Sequence, residues 1–214
     1  MKKFRGVLFD FDGVIADSMD DNFKAWKKAF SDYDIKISEK NYFELEGYPT
    51  VQIAEIILKK AGKKIKPEVI SNLKHHYYIL NSTVKFYPFV KEILNLLIRR
   101  KISLAIVSGA DRRKLKAGLK NLAKKFDVII SGDDKIKGKL APDPYLQAAK
   151  KLSLNPNQCL VIENAPLGIE SSKAAGCYCV ALMTTLGRDP LMRAGADKIF
   201  KTHQELLNFF KNIF

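Results

Sequence analysis

Cysteine, histidine and tryptophan are scarce in this chain, with three Cys, three His and one Trp among 214 residues. Cys159, Cys177 and Cys179 are odd in number and lie within apolar stretches, which argues against a disulfide scaffold, and no zinc-ligand spacing is present. Cys177 and Cys179 would share one face of a strand, where packed thiols are the expectation. Long apolar runs are missing too: the longest, Cys177 to Met183, cannot span a bilayer. Met1-Lys2-Lys3 imitates the start of a secretory leader, but Asp10 and Asp12 interrupt the apolar stretch that follows. The expectation is a cytoplasmic protein without a membrane partner. Acidic residues are few, 23 against 37 Lys plus Arg, for a net charge of +14. A basic surface attracts polyphosphate. Here the lysines are dispersed in pairs such as Lys59-Lys60 and Lys124-Lys125, with no long basic run and no interleaved aromatics. No nucleic-acid partner is therefore expected, and the surface charge would instead help to draw in a small anion.

What is present describes an ordinary globular chain, 47% hydrophobic and 28% charged, large enough for one core or for a core with a small inserted domain. The organising stretch is Val7-Leu8-Phe9-Asp10-Phe11-Asp12-Gly13-Val14. Val7 to Phe9 read as a short buried strand, and Gly13 marks a turn. Two acids one residue apart at a strand end can divide a task, one attacking or binding and the other moving a proton. They can equally well only cap and turn the loop, and the stretch alone leaves both readings open.

Asp17 or Ser18 would cap a helix containing Phe23, Trp26, Ala29 and Phe30. Trp26, Phe23 and Phe30 read as core rather than a stacking platform. Helical spacing continues over Tyr42 to Glu46, Val51 to Ala61 and Glu68 to Leu80, up to about Thr83. A long helical stretch directly behind the first strand reads as an insert. Strands and helices then alternate. Pro88 would open a helix, Ile102 to Val107 form a strand and Asp111 to Leu122 a helix. Val128 to Ile130 form a strand, Asp143 to Leu152 a helix, Leu160 to Ile162 a strand and Pro166 to Ala175 a helix. Tyr178 to Leu182 and Ile199-Phe200 are further strands, followed by a helix from Gln204. Such alternation predicts an α/β, Rossmann-like, doubly wound and mainly parallel sheet. The core would comprise residues 1–16 and 84–214, and the inserted helical cap residues 17–83. His75, His76 and His203 have no acidic partners at ligand spacing and read as surface or packing residues.

In a parallel sheet Asp10, Ser108 and Glu163 end on one edge. Four stretches then fall in register: Asp10-Phe11-Asp12-Gly13-Val14, Ser108-Gly109, Lys139 before Ala141-Pro142-Asp143, and Glu163-Asn164. Together they resemble the four motifs of haloacid dehalogenase-like hydrolases, over essentially the whole chain. The helical insert makes it similar to the branch of helical-cap phosphatases and β-phosphoglucomutase-like phosphohexomutases.

The resemblance implies a Mg2+-dependent phosphomonoester phosphatase acting through an aspartyl phosphate on a small, sugar-like phosphorylated metabolite, as a monomer or weak dimer. Asp10 would be the nucleophile and Asp12 the acid and base. Ser108 and Gly109 would bind the phosphate, and Lys139 would neutralise its transition-state charge. Asp10, the carbonyl of Asp12, Glu163 and Asn164 would hold the metal. Many relatives have Glu-Asp where this chain has Glu163-Asn164, so metal binding would lean on Asp10 and Glu163. Ser108 and Asn164 could also simply cap the helices that follow. Asp12 favours phosphate-ester chemistry over dehalogenation, which has no alkoxide to protonate. The His and Arg of the mutases correspond to Asn22 and Thr50, which disfavours the mutase alternative. Tyr48 and Thr50, in the Glu46 to Thr50 stretch expected to overhang the site, are candidate specificity residues; Tyr48 could also be only a turn residue. A third alternative, a non-catalytic regulatory protein on the same fold, follows from Asn164 and the basic surface.

Overall fold

The computed structural model describes residues 4–81, 84–110, 112–134 and 136–214. Met1-Lys2-Lys3, the expected helix start at Asp111 and the expected end of the helical stretch at Thr83 lie outside them. Among the described residues six short strands form a single sheet: β1 (Gly6–Phe9), β2 (Ser103–Val107), β3 (Val128–Ile130), β4 (Cys159–Glu163), β5 (Tyr178–Leu182) and β6 (Lys198–Phe200). Their order is β3-β2-β1-β4-β5-β6, and every pairing is parallel. The fold is therefore a Rossmann-like, doubly wound α/β fold. The strands read as nearly unbroken Val, Ile, Leu, Ala and Cys because helices cover both faces of the sheet. On one face Val7, Phe9, Ile106 and Ile162 pack with residues of α5 (Val90–Arg99) and α10 (His203–Ile213). On the other, Leu8, Ala105 and Val161 meet α7 (Asp143–Lys151), α8 (Pro166–Ala174) and a short α9 (Arg188–Arg193).

The strand order reverses between β1 and β4. In sheets of this kind, the crevice beyond the strand ends at such a switch point is where ligands bind. Register fixes what is found there. Phe9 lies opposite both Ile106 and Ile162, so the residues following them, Asp10, Val107-Ser108 and Glu163-Asn164, reach the same edge. The Asp10 amide donates to Ile162 (3.0 Å) and that of Ser108 to Ile130 (3.1 Å).

Between β1 and β2 lie α1 (Met19–Ser31), α2 (Glu39–Phe43), α3 (Thr50–Lys60) and α4 (Pro67–Asn81). They enclose a hydrophobic cluster of their own, with Trp26, Phe30, Tyr42, Ile53, Ala54 and Ile70 at its centre. Burial at this scale is what holds an insert together, since each large apolar side chain withdrawn from water contributes about 1.5–3 kcal/mol. The chain leaves the sheet and returns to it through a paired neck: the Asp17 amide donates to Lys85 (2.9 Å) and that of Tyr87 to Ile15 (3.2 Å). His203 braces this neck. It is buried, stacked on Tyr87 at 4.6 Å between centroids, and donates through Nε2 to the Val14 carbonyl at 2.7 Å.

Several local expectations are corrected. The helix expected from Tyr42 to Glu46 starts earlier, at Glu39, because Ser38 accepts the Asn41 amide as its cap (3.3 Å). Pro88 does not open α5: Phe89 follows it in the left-handed region (φ 66°), and the helix begins at Val90. The helix expected to reach Leu122 ends as α6 (Arg112–Leu119) and continues as a 3-10 turn over Lys120–Lys125. The short helix α9 carries no strong periodicity and has no counterpart in the sequence reading. Ser18 occupies the cap position of α1, but its hydroxyl makes no cap bond and is used elsewhere.

Candidate active site

Asp10 and Asp12 are two residues apart and sit in opposite electrostatic settings. Asp10 is buried and shares the Lys139 ammonium with Glu163. Lys139 arrives from the segment before α7, and its Nζ lies 2.5 Å from Glu163 Oε1. Burial pushes the Asp10 carboxyl well up from its usual range, a shift that Lys139 limits and Glu163 reinforces. The proton of the pair stays on Lys139: burial would lower its pKa, but the two carboxylates raise it above the ordinary lysine value.

Glu163 is fully buried and heavily engaged. Oε1 accepts from Lys139 and from the Tyr145 hydroxyl (2.6 Å), while Oε2 accepts the amides of Asn164 (3.1 Å) and Ala165 (3.3 Å). Those four donors fix its plane, and it lies against Gly168 of α8, where an added Cβ would overlap the carboxylate. Gly168→Ala is therefore expected to displace Glu163 and Lys139 together. Such overpacking costs about 1–3 kcal/mol. Thermal unfolding should show a lowered midpoint, together with lost turnover.

Asp12 is turned away from this triad. Its Oδ1 accepts the Ser18 hydroxyl at 2.5 Å, and the Lys114 ammonium lies 3.1 and 2.9 Å from its two oxygens. Asn22 Nδ2 stands 3.5 Å off. Burial would raise Asp12, but Lys114 and Ser18 more than offset it and hold the carboxyl below its usual range. The Lys114 ammonium also lies over the Tyr78 ring of α4 at 4.5 Å, so this lysine ties the core helix α6 to the insert at Asp12. On the insert side, the buried Lys74 donates to Asn22 Oδ1 at 2.7 Å.

The remaining expected residues divide into two groups. Ser108 is buried at the end of β2, where its Oγ accepts the Ala110 amide (3.1 Å). Together with Gly109 and Lys139 it lines a cavity of about 50 Å³ that also touches Ser131 and Gly132. Asn164 is fully buried at the end of β4; Ala165, not Asn164, occupies the cap position of α8. Tyr48 is half-buried and packs on the insert's own apolar cluster, and Thr50 is the exposed first residue of α3; neither is in contact with the groups above among the described bonds. The residue of this loop that does enter the site is Glu46, buried and hydrogen-bonded to Asn164 Nδ2 at 2.7 Å. Burial raises its carboxyl well above the usual range.

Lys114, Tyr145 and Ser18 were not identified from sequence as members of the site. Lys114 is the third basic residue of Arg112-Arg113-Lys114 in a chain with many lysines, and only the helical phase of α6 behind Ser108 could have singled it out. Tyr145, in the first turn of α7, carries no signal beyond being an aromatic in an amphipathic helix.

A family model described as haloacid dehalogenase-like hydrolase matches residues 7–182. The chain is a haloacid dehalogenase-like hydrolase. It falls in the phosphatase and β-phosphoglucomutase-like branch of that family. It is 28% identical to the phosphorylated carbohydrates phosphatase of Thermotoga maritima, over 97% of this chain and 98% of that protein. It is 30% identical to the β-phosphoglucomutase of Bacillus subtilis, over 90% of this chain and 91% of that one. Among solved structures, a hydrolase from Pseudomonas syringae superposes with a TM-score of 0.87 at 26% identity, covering 98% of this hydrolase and 99% of that chain. No helix among the described residues is long and apolar enough to cross a membrane.

Proposed function

We propose that this hydrolase is a magnesium-dependent phosphatase that removes the phosphoryl group from a small, sugar-like phosphomonoester by way of an aspartyl phosphate on Asp10. The observation that carries the reading is the separation of the two acids into opposite environments at the switch point. Acid and base roles are generally divided between titratable groups whose surroundings push them apart. Residues 1–16 and 84–214 act as the catalytic core, and the helices of residues 17–83 act as its cap.

The oxygen donors of the site fit a magnesium ion. Asn164 Oδ1 is buried and takes no hydrogen bond, which is costly unless something else uses it. Among the described residues no three acidic, His or Cys side chains gather at ligand spacing. Asp10, the Asp12 main-chain carbonyl and Asn164 would hold the ion, a hard oxygen set suited to magnesium. Bound there, magnesium would supply the positive charge that keeps Asp10 ionised and lets a phosphate approach it. Glu163 serves this site by anchoring Lys139.

Asp10 attacks phosphorus in line with the leaving oxygen, while Ser108 and Lys139 hold the non-bridging oxygens. Asp12 must then be protonated when the alkoxide leaves. Lys114 and Ser18 favour its ionised form, so the arriving phosphate dianion has to raise it, by repulsion and by drawing Lys114 away. Having given that proton to the departing alkoxide, Asp12 is again a carboxylate, stabilised by Lys114 and Ser18, and it takes a proton from the water that attacks the aspartyl phosphate, releasing phosphate and freeing Asp10. The two environments match the two halves of the cycle.

Purified enzyme should release phosphate from part of a broad monoester panel with magnesium, and lose that activity on chelation with EDTA. A folded enzyme inactive across the whole panel in magnesium would refute the reading. The similarity to β-phosphoglucomutase keeps a phosphohexomutase as the second reading. Against it, Asn22 is committed to Lys74 and to the Ser18 carbonyl (2.9 Å), and Thr50 is exposed. Isomerisation of a sugar phosphate primed by its bisphosphate would favour the mutase; hydrolysis alone favours the phosphatase.

A further inference from the structure

The end of β4 offers one carboxylate, Glu163, which is already taken up by four donors. Its neighbour Asn164 is neutral. The structure brings a second carboxyl to this point from the insert. Glu46, in the loop between α2 and α3, places Oε1 2.7 Å from Asn164 Nδ2, and its Oε2 accepts the Thr185 hydroxyl at 3.2 Å. Asn164 Nδ2 also reaches Thr185 Oγ1 at 3.4 Å. The loop is seated firmly on the core: Gly47 has φ +98°, and a Cβ there would lie 3.1 Å from Leu167 Cβ at the start of α8. With its N–H groups engaged, the Asn164 side chain has Oδ1 left over, and that atom is buried without a hydrogen-bond partner.

We infer that Glu46 is a positioning residue for Asn164, and that the pair moves an acidic group from the core strand to the cap, so that the cation site is complete only while the cap loop is seated. The inference rests on the proposed function. An amide at position 164 is what the arrangement requires, because one end can donate to Glu46 while the other remains a cation ligand. An aspartate would set two buried carboxyls against each other, and like charges at that distance cannot both ionise. When the cap lifts, Glu46 leaves with it, Asn164 loses the partner that fixes its plane, and hold on the cation weakens. Groups that orient a metal ligand typically contribute 10–100-fold to metal affinity.

The test is calorimetric titration of magnesium chloride into the full chain, with circular dichroism and thermal melts as controls for folding. Glu46→Gln keeps an acceptor for Asn164 but removes the acid; Glu46→Ala removes both. Each should bind magnesium at least about tenfold more weakly than wild type, with Ala the weaker of the two. The exchange Glu46→Gln with Asn164→Asp returns the acid to the strand end and should recover affinity to near the wild-type level. If both single variants bind as wild type, or the folded double variant fails to recover, the inference is overturned while the proposed function stands. A wild-type chain that binds no magnesium overturns the metal-dependent function and this inference together.

Discussion

Asp10→Asn is expected to leave a folded chain with no measurable turnover, a fall of at least about 10⁴-fold in kcat, on the scale seen when a covalent nucleophile is removed. Asparagine has the same shape, so packing at the end of β1 is preserved. The Asp10 amide still bonds the Ile162 carbonyl, and Lys139 still has Glu163 at 2.5 Å. What disappears is the carboxylate oxygen proposed to form the bond to phosphorus. Rapid quench with labelled substrate should leave label on the wild-type chain and none on the variant. Retained activity would move the nucleophile elsewhere, to Asp12 or to water attacking directly. Retained label with lost turnover would place the fault in the hydrolytic step, which is assigned to Asp12.

The variant also separates two consequences of burying Asp10. Because the folded-state pKa is raised above the unfolded value, the unfolded chain gives up this proton at lower pH than the folded one. The metal-free protein therefore loses stability as pH rises from the ordinary aspartate range towards the raised value. Asp10→Asn removes that group, so its metal-free urea midpoint should change less across the same interval. Lys139 is raised as well, so its contribution is whole up to the ordinary lysine range and is lost only as pH rises from there towards its own raised value, far outside this window.

The legible and illegible parts of the molecule differ in physical kind. The parallel sheet could be read because Val7 to Phe9, Leu104 to Val107 and Leu160 to Ile162 are covered on both faces and therefore apolar without interruption. Once the sheet is parallel, the residue after each run is at the same edge, which is why Asp10, Ser108 and Glu163 could be grouped. Side chains reaching the site from helices were not readable in this way. Lys114 and Tyr145 are set by helix phase and by long side-chain reach, and a lysine in a chain with 37 basic residues looks like surface. Glu46 shows a third case. The turn around Gly47 and Pro49 was visible as a loop near the site, but which of its residues enters depends on how the insert seats on α8, a tertiary fact. The sequence points to Tyr48 and Thr50, whereas Glu46 makes the contact.

Lys139→Met should be the most damaging change away from the nucleophile, because one ammonium answers two buried carboxylates. Its side chain is 7% exposed, and it contacts both Asp10 and Glu163. Methionine fills much of the volume but leaves the carboxylates facing each other without a cation. Removing one member of a buried ion pair costs about 3–5 kcal/mol, and here the cost is moderated by protonation of Asp10, whose carboxyl burial already pushes up. A proton on Asp10 abolishes its nucleophilicity, so kcat should fall together with stability, by about 10²–10³-fold, the effect of losing one preorganised charge at the reacting centre. Magnesium should partly restore the melting temperature, since a divalent cation at Asp10 would stand in for the missing ammonium, but should not restore turnover, since Lys139 is also proposed to hold the transferring phosphoryl group. Lys139→Arg keeps the charge but cannot fit a planar fork into the space beneath the Tyr145 ring, which lies 6.0 Å from Nζ, and should rescue stability more than rate. Turnover near the wild-type level in Lys139→Met would mean that magnesium alone neutralises the phosphate, and that the lysine–Glu163 pair is only structural.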